Sequence, residues 1–83
     1  MPVRLDGYTF ERSGRAHKKY AVTLASGRTV HFGDRRYQHY RDRIGLYSGQ
    51  DHGDKERRRR YYARHGLEAS RESPKWFSHR YLW

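Results

Sequence analysis

The chain has 83 residues, Lys+Arg 19 against Asp+Glu 9, a formal net charge of +10 and no cysteine. That length allows one small domain at most, spanning 1–83, and the lack of cysteine excludes a disulfide framework and any thiolate metal site. The hydrophobic runs are too short for a membrane span, and no signal peptide is visible.

A mean hydropathy of −1.34 lies near the border of disorder. Against this, 16% of the residues are aromatic, and each aromatic ring buries enough area for a few of them to form a core. In chain order, Val3 and Leu5, then Tyr8 and Phe10, flank Asp6-Gly7. This predicts a short edge strand, a turn, and a strand over Tyr8–Arg12 that breaks at Ser13-Gly14. His17–Leu24 alternates Tyr20, Val22 and Leu24 with Lys19, Ala21 and Thr23, the period of a half-buried strand. Ala25-Ser26-Gly27-Arg28 reads as a hairpin loop with Gly27 at the positive-φ position. Thr29–Phe32 returns, with Val30 and Phe32 on one face.

Gly33-Asp34 is expected to end the sheet and start a helix with Asp34 as N-cap. Tyr37, Tyr40 and Ile44 then share one helical face, and Gly45 stops it. A second helix is expected over Asp54–His65. Asp51 or Asp54 caps its start, Arg64 and His65 suit its negative end, and Gly66 closes it. Arg57 to Arg60 are consecutive, so they spread around the helix at about 100° each. Arg57, Arg60 and Arg64 form one stripe; Arg58, Tyr61, Tyr62 and His65 form another, better suited to packing. After a polar connection, Ser73-Pro74 announces a last helix, Ser as N-cap and Pro at the first turn. Its apolar residues include Trp76, Phe77, Tyr81 and Trp83. They either close the core of this domain or dock into a neighbour. The fold class is α+β: an N-terminal antiparallel β-hairpin or three-stranded meander followed by two or three short α-helices.

His39, Asp51, His52, Asp54 and His65 could be drawn as metal ligands. No His-x-x-x-His or His-x-x-Glu-His pair is present, and the aspartates have capping work. There is no glycine-rich phosphate loop, nucleophile elbow or paired-carboxylate signature. No catalytic residue, metal or cofactor is therefore expected, and the chain does not read as an enzyme. The cationic excess is the clearer signal. Lys18, Lys19, Arg35, Arg36, Arg41, Arg57, Arg60 and Arg64 are candidates for contact with a polyanion or an acidic partner, because a balanced solvated surface would carry more acid. The tyrosines and tryptophans could stack on bases, but their periodicity assigns them to the core.

Three segments carry a resemblance. The first is His17-Lys18-Lys19-Tyr20 leading to Phe32-Gly33-Asp34-Arg35-Arg36-Tyr37-Gln38-His39-Tyr40-Arg41-Asp42. The second runs from Tyr47-Ser48 through Asp51-His52-Gly53-Asp54 and Arg57-Arg58 to Arg64-His65-Gly66. The third is Ser73-Pro74-Lys75-Trp76-Phe77-Ser78 to Tyr81-Leu82-Trp83. Together they resemble a family of small, uncharacterised basic proteins of large double-stranded DNA viruses, algal and amoebal giant viruses and some phages. The resemblance implies a virion or infected-cell setting and brings no enzyme activity. Two functions are then expected. The first is a virus-particle structural protein, a minor capsid or cementing component bridging larger virion proteins through an arginine- and aromatic-rich surface. The alternative is a nucleic-acid-binding protein that holds DNA or RNA phosphates without sequence selectivity and organises the viral genome.

Overall fold

The computed structural model describes residues 2–83; Met1, the first residue of the expected domain, lies outside them. Four antiparallel strands form a meander in the order β1-β2-β3-β4. They are β1 (Val3–Leu5), β2 (Tyr8–Arg12), β3 (Lys18–Thr23) and β4 (Thr29–Asp34). The edge strand Val3–Leu5 thus extends the expected three-stranded meander. Its hairpin to β2 closes through Asp6 and Gly7, both at positive φ (55° and 82°). That turn geometry matches the right-handed twist of paired strands. The β3–β4 loop closes as expected, with Gly27 at φ 90° and the Leu24 amide donating to the Arg28 carbonyl.

Register places Phe10 opposite Val22, and Tyr20 opposite Phe32. These side chains share one face of the sheet, which α2 (Pro74–Tyr81) covers. Phe10, Tyr20, Val22, Phe32, Phe77 and Tyr81 are fully buried. Phe77 stacks on Phe32 at 5.4 Å and meets Phe10 edge-on at 6.1 Å, and Tyr81 lies 4.8 Å from Phe10. Edge-on and offset rings of this kind add to the value of burying their area. The start of α2 follows the local signals: Ser73 Oγ accepts from the Trp76 amide, and Pro74 occupies the first turn.

Of the two expectations for the C-terminal helix with Trp76, Phe77, Tyr81 and Trp83, closing this domain's core or docking into a neighbour, the structure takes the first. Phe77 and Tyr81 have no exposed surface, and Trp76 and Trp83 are half-buried against the same core. An 83-residue chain has few large apolar side chains, so the C-terminal rings are needed at home.

The helix expected after Asp34 is also absent. Strand β4 runs through Asp34, and residues 35–47 form no helix. Asp34 Oδ1 instead accepts from the Arg36 amide in a tight turn, and the Tyr37 amide donates to the Asp34 carbonyl. Several of the segment's other amides are claimed from afar. Arg41 and Arg43 donate to the carbonyls of Leu82 and Tyr81, and His39 to that of Gln50. Asp42 accepts from the amides of Ile44 and Tyr47, both at 2.8 Å. Aspartate side chains that bind nearby amides compete directly with helix formation. Ile44 is buried as its spacing implied, but Tyr37 is exposed.

The second expected helix is present as α1 (Lys55–His65), the first α-helix in the chain. Asp54 Oδ1 accepts from the amides of Glu56 and Arg57 at 2.9 and 3.2 Å, and Gly66 (φ 78°) closes the last turn onto the Tyr62 carbonyl.

Candidate functional site

The site begins with a lysine that points inward. Lys19 is 2% exposed. Its Nζ donates to the Tyr37 carbonyl at 2.9 Å and to His39 Nδ1 at 2.7 Å. With Nδ1 accepting, the His39 proton sits on Nε2 and is donated to Asp51 Oδ1 at 2.5 Å. A buried cation and a half-buried carboxylate are thus joined through one neutral imidazole. Burial pulls the Lys19 pKa down to about 8, while Asp42, Asp34 and Asp51 oppose the shift. Burial, then the Lys19 charge, likewise lowers the pKa of His39. This chain ties the loop 35–53 to β3. Lys19 is therefore removed from the set of partner-binding cations, because its ammonium is already committed. Asp51 is removed as a helix cap for the same reason, and both nitrogens of His39 are occupied.

A second buried carboxylate anchors the same loop. Tyr20 Oη donates to Asp42 Oδ2, and the same hydroxyl accepts from the Leu46 amide at 3.0 Å. Burial first, and the Asp42 hydrogen bond second, raise the Tyr20 pKa. These buried polar groups satisfy one another, as the low-dielectric interior requires.

Outside this frame lies a basic cleft. One depression of about 540 Å³ is lined by Lys18, Tyr37, Arg64 and Lys75, with Tyr61, Leu82 and Trp83 among its other walls. A second, of about 210 Å³, adjoins it and is lined by Tyr37, Gln38, Arg57, Arg60, Arg64 and Trp83. Asp34 is the sole acidic side chain on either wall, and it is held by a bidentate contact to Arg36. That contact is the main reason its pKa falls to about 2. Lys18, Arg64 and Lys75 have no ion pair and no side-chain hydrogen bond among the described residues. Arg57 donates to Gln38 Oε1 at 2.9 Å, and Arg60 only touches Glu56 at 4.0 Å.

The structure therefore brings Lys18, Arg57, Arg60 and Arg64 together, as nominated. It leaves Arg35 outside the cleft. Arg36 is paired with Asp34. Arg41 lines a different depression of about 580 Å³, beside Arg43, Arg58 and Arg80. The arginines there serve packing. Arg43 lies over Tyr81 and bonds the Arg80 carbonyl, while Arg58 lies over Tyr40 and Tyr62 and bonds the Trp83 carbonyl. Sequence reading missed Lys75, whose approach to Lys18 and Arg64 depends on α2 folding back over the sheet. It also missed Tyr37, which helical spacing assigned to the core.

Among the drawn metal ligands, His39 and Asp51 do meet, but with Lys19 between them and any further donor. His52 Nδ1 accepts from the Asp54 amide, so it stiffens the turn before α1.

A model for a family of unknown function, DUF5754, matches residues 8–43. The match takes in β2 to β4 and the first part of the loop, including Lys18, Lys19, Tyr37, His39 and Asp42. Less than half of the chain is covered, and α1 and α2 fall outside it. The similarity therefore concerns the sheet and its anchored loop. No curated protein and no solved structure matches the chain. Among the described residues no helix is long and apolar enough to cross a membrane.

Proposed function

We propose that the protein binds nucleic acid through its phosphate backbone, in the cleft between the loop 35–38, α1 and the start of α2. One observation carries this reading: Lys18, Arg57, Arg60, Arg64 and Lys75 line two adjoining depressions whose single acidic side chain is already paired. Of these five cations only Arg60 has a carboxylate within reach, Glu56 at 4.0 Å. Cations that converge with so little acid repel one another in the free protein, and a polyanion relieves that repulsion. Among the described residues there is no recognisable reading helix or zinc finger, so the reading assigns the contacts to phosphate and not to base edges. The expectation of a particle-bridging protein draws on the same cations, which would then face carboxylates of a larger subunit. One of its further supports, an apolar helix free to dock, is weakened because Phe77 and Tyr81 are buried within this chain.

The test is fluorescence anisotropy of labelled single-stranded and duplex oligonucleotides over a salt series. Binding should weaken steeply with salt, with a log–log slope near −0.7 per phosphate neutralised on a single strand. The double variant Arg57→Glu/Arg60→Glu should lose about tenfold or more in affinity and flatten the slope, with an unchanged circular dichroism spectrum. Binding that is absent at about 50 mM salt, or insensitive to salt, overturns the reading.

A further inference from the structure

We propose that Tyr37 is a base-stacking platform and that the ligand of the cleft is therefore single-stranded nucleic acid. This rests on the phosphate-binding reading above and narrows it.

Tyr37 is the exception among the aromatic side chains. Every other one is buried or half-buried, whereas Tyr37 is 64% exposed. A lone exposed tyrosine is common and means little by itself. Two features set this one apart. Its backbone is held at both ends: its amide donates to the Asp34 carbonyl at 3.2 Å, and its carbonyl accepts from the buried Lys19 ammonium at 2.9 Å. A buried lysine is costly to keep charged, and here it is used to fix the peptide beneath an exposed ring. The ring also stands where the two depressions meet. It is shared by the wall bearing Lys18, Arg64 and Lys75 and the wall bearing Arg57 and Arg60.

Arg36 completes the platform. Its guanidinium lies over the Tyr37 ring, 5.7 Å from the centroid, while Asp34 holds it in a bidentate contact. Arg36 thus lies over the ring, and most of the Tyr37 side chain is exposed. A base that lies on an anchored ring loses its own freedom but does not have to order the protein. Stacking uses the face of a base, and any base has one, so the contact is tolerant of sequence. In a duplex those faces are turned inward and only edges reach the grooves. A strand whose phosphates follow the basic walls past Tyr37 can turn a base onto the ring; a duplex cannot.

The experiment compares Tyr37→Ala, Tyr37→Leu and Tyr37→Phe with the wild-type chain, using an oligothymidylate, an oligodeoxyadenylate and the duplex of the two. The exposed ring makes no core contact, so all three variants should keep the wild-type melting temperature. Tyr37→Ala and Tyr37→Leu should each weaken single-strand binding about tenfold. Their salt slopes should match wild type, since the phosphates contacted are the same. Tyr37→Phe should bind single strands like wild type, and duplex binding should be alike in all four proteins. Equal single-strand affinity in wild type and Tyr37→Ala overturns the proposal. So does an equal loss on single strand and duplex. In both cases the salt slope and the Arg57→Glu/Arg60→Glu loss still stand, so phosphate binding survives. A wild-type chain that binds no oligonucleotide overturns both readings together.

Discussion

The two halves of this small protein are held together by different forces. In the sheet and α2, closely packed rings exclude water, and Phe10, Phe32, Phe77 and Tyr81 have no exposed surface. In α1, Tyr61 is the single buried residue. Isolated helices of about this length are marginal in water, and four consecutive arginines add mutual repulsion. Caps at both ends and a few polar tethers offset that. Tyr61 stacks flat on Trp83 at 4.3 Å, and its hydroxyl donates to His79 Nδ1 at 3.0 Å. Tyr62 Oη donates to the His79 carbonyl, and His79 Nε2 donates to the Gly66 carbonyl. His79 belongs to α2, so one histidine joins the two halves. Because α1 is not pressed into the sheet, Arg57, Arg60 and Arg64 remain exposed on its surface. The apolar half supplies rigidity and the polar half supplies the charge.

Loss of a core ring is the strongest way to break this division. Phe77→Ala should cost about 3–5 kcal/mol, measurable by urea denaturation. That is a large share of the total stability of a chain this small, so sheet and α1 should unfold together. A transition in which α1 survives would contradict the dependence of α1 on α2.

Tyr61→Ala tests the polar half alone. Alanine favours the helix, so the loss is one of docking, about 2 kcal/mol for a ring of this burial. Amide hydrogen exchange should quicken across α1 and stay slow in β2 to β4. Faster exchange throughout the sheet would show that the halves are one cooperative unit.

The smallest effect expected is that of pH. The pKa values of His31, His39, His52 and His79 are all lowered, by burial first in each case. Below the ordinary histidine value near 6.5 the unfolded chain therefore binds protons that the folded chain refuses, and stability falls as pH drops from 7 toward 5. The melting temperature should decline by a few degrees across that window. His79 cannot be protonated without losing Nδ1 as acceptor for Tyr61, so α1 should loosen first. A melting temperature that rises on acidification would contradict this sign.

What could be read in advance follows the range of the interactions. The caps of α1 and α2, Asp54 with Gly66 and Ser73 with Pro74, act within one helical turn, and their residue types declare them. The alternation in β2 to β4 is equally local, and it correctly pointed Phe10, Tyr20, Val22 and Phe32 inward. The loop after β4 was misread as a helix because Tyr37, Tyr40 and Ile44 do carry helical spacing. The competing claims on its amides come from Asp42 and from the carbonyls of Leu82 and Tyr81, 41 and 38 residues beyond Arg41 and Arg43. The charge map named cations one by one and carried no information on which of them lie together. Lys18, Arg57, Arg60 and Arg64 share a cleft, whereas Lys19 is buried and Arg36 is paired with Asp34.

The sequence by itself determined the α+β order, the turns, the two capped helices and a large cationic excess, all of which depend on neighbours within a few residues. Only the tertiary structure decided which cations converge, which lysine is buried, and that Tyr37 alone among the tyrosine, phenylalanine and tryptophan side chains is exposed. Those outcomes depend on where α2 returns across the sheet and how the loop is pinned beneath it. They arise from contacts between distant residues, and no local pattern encodes them.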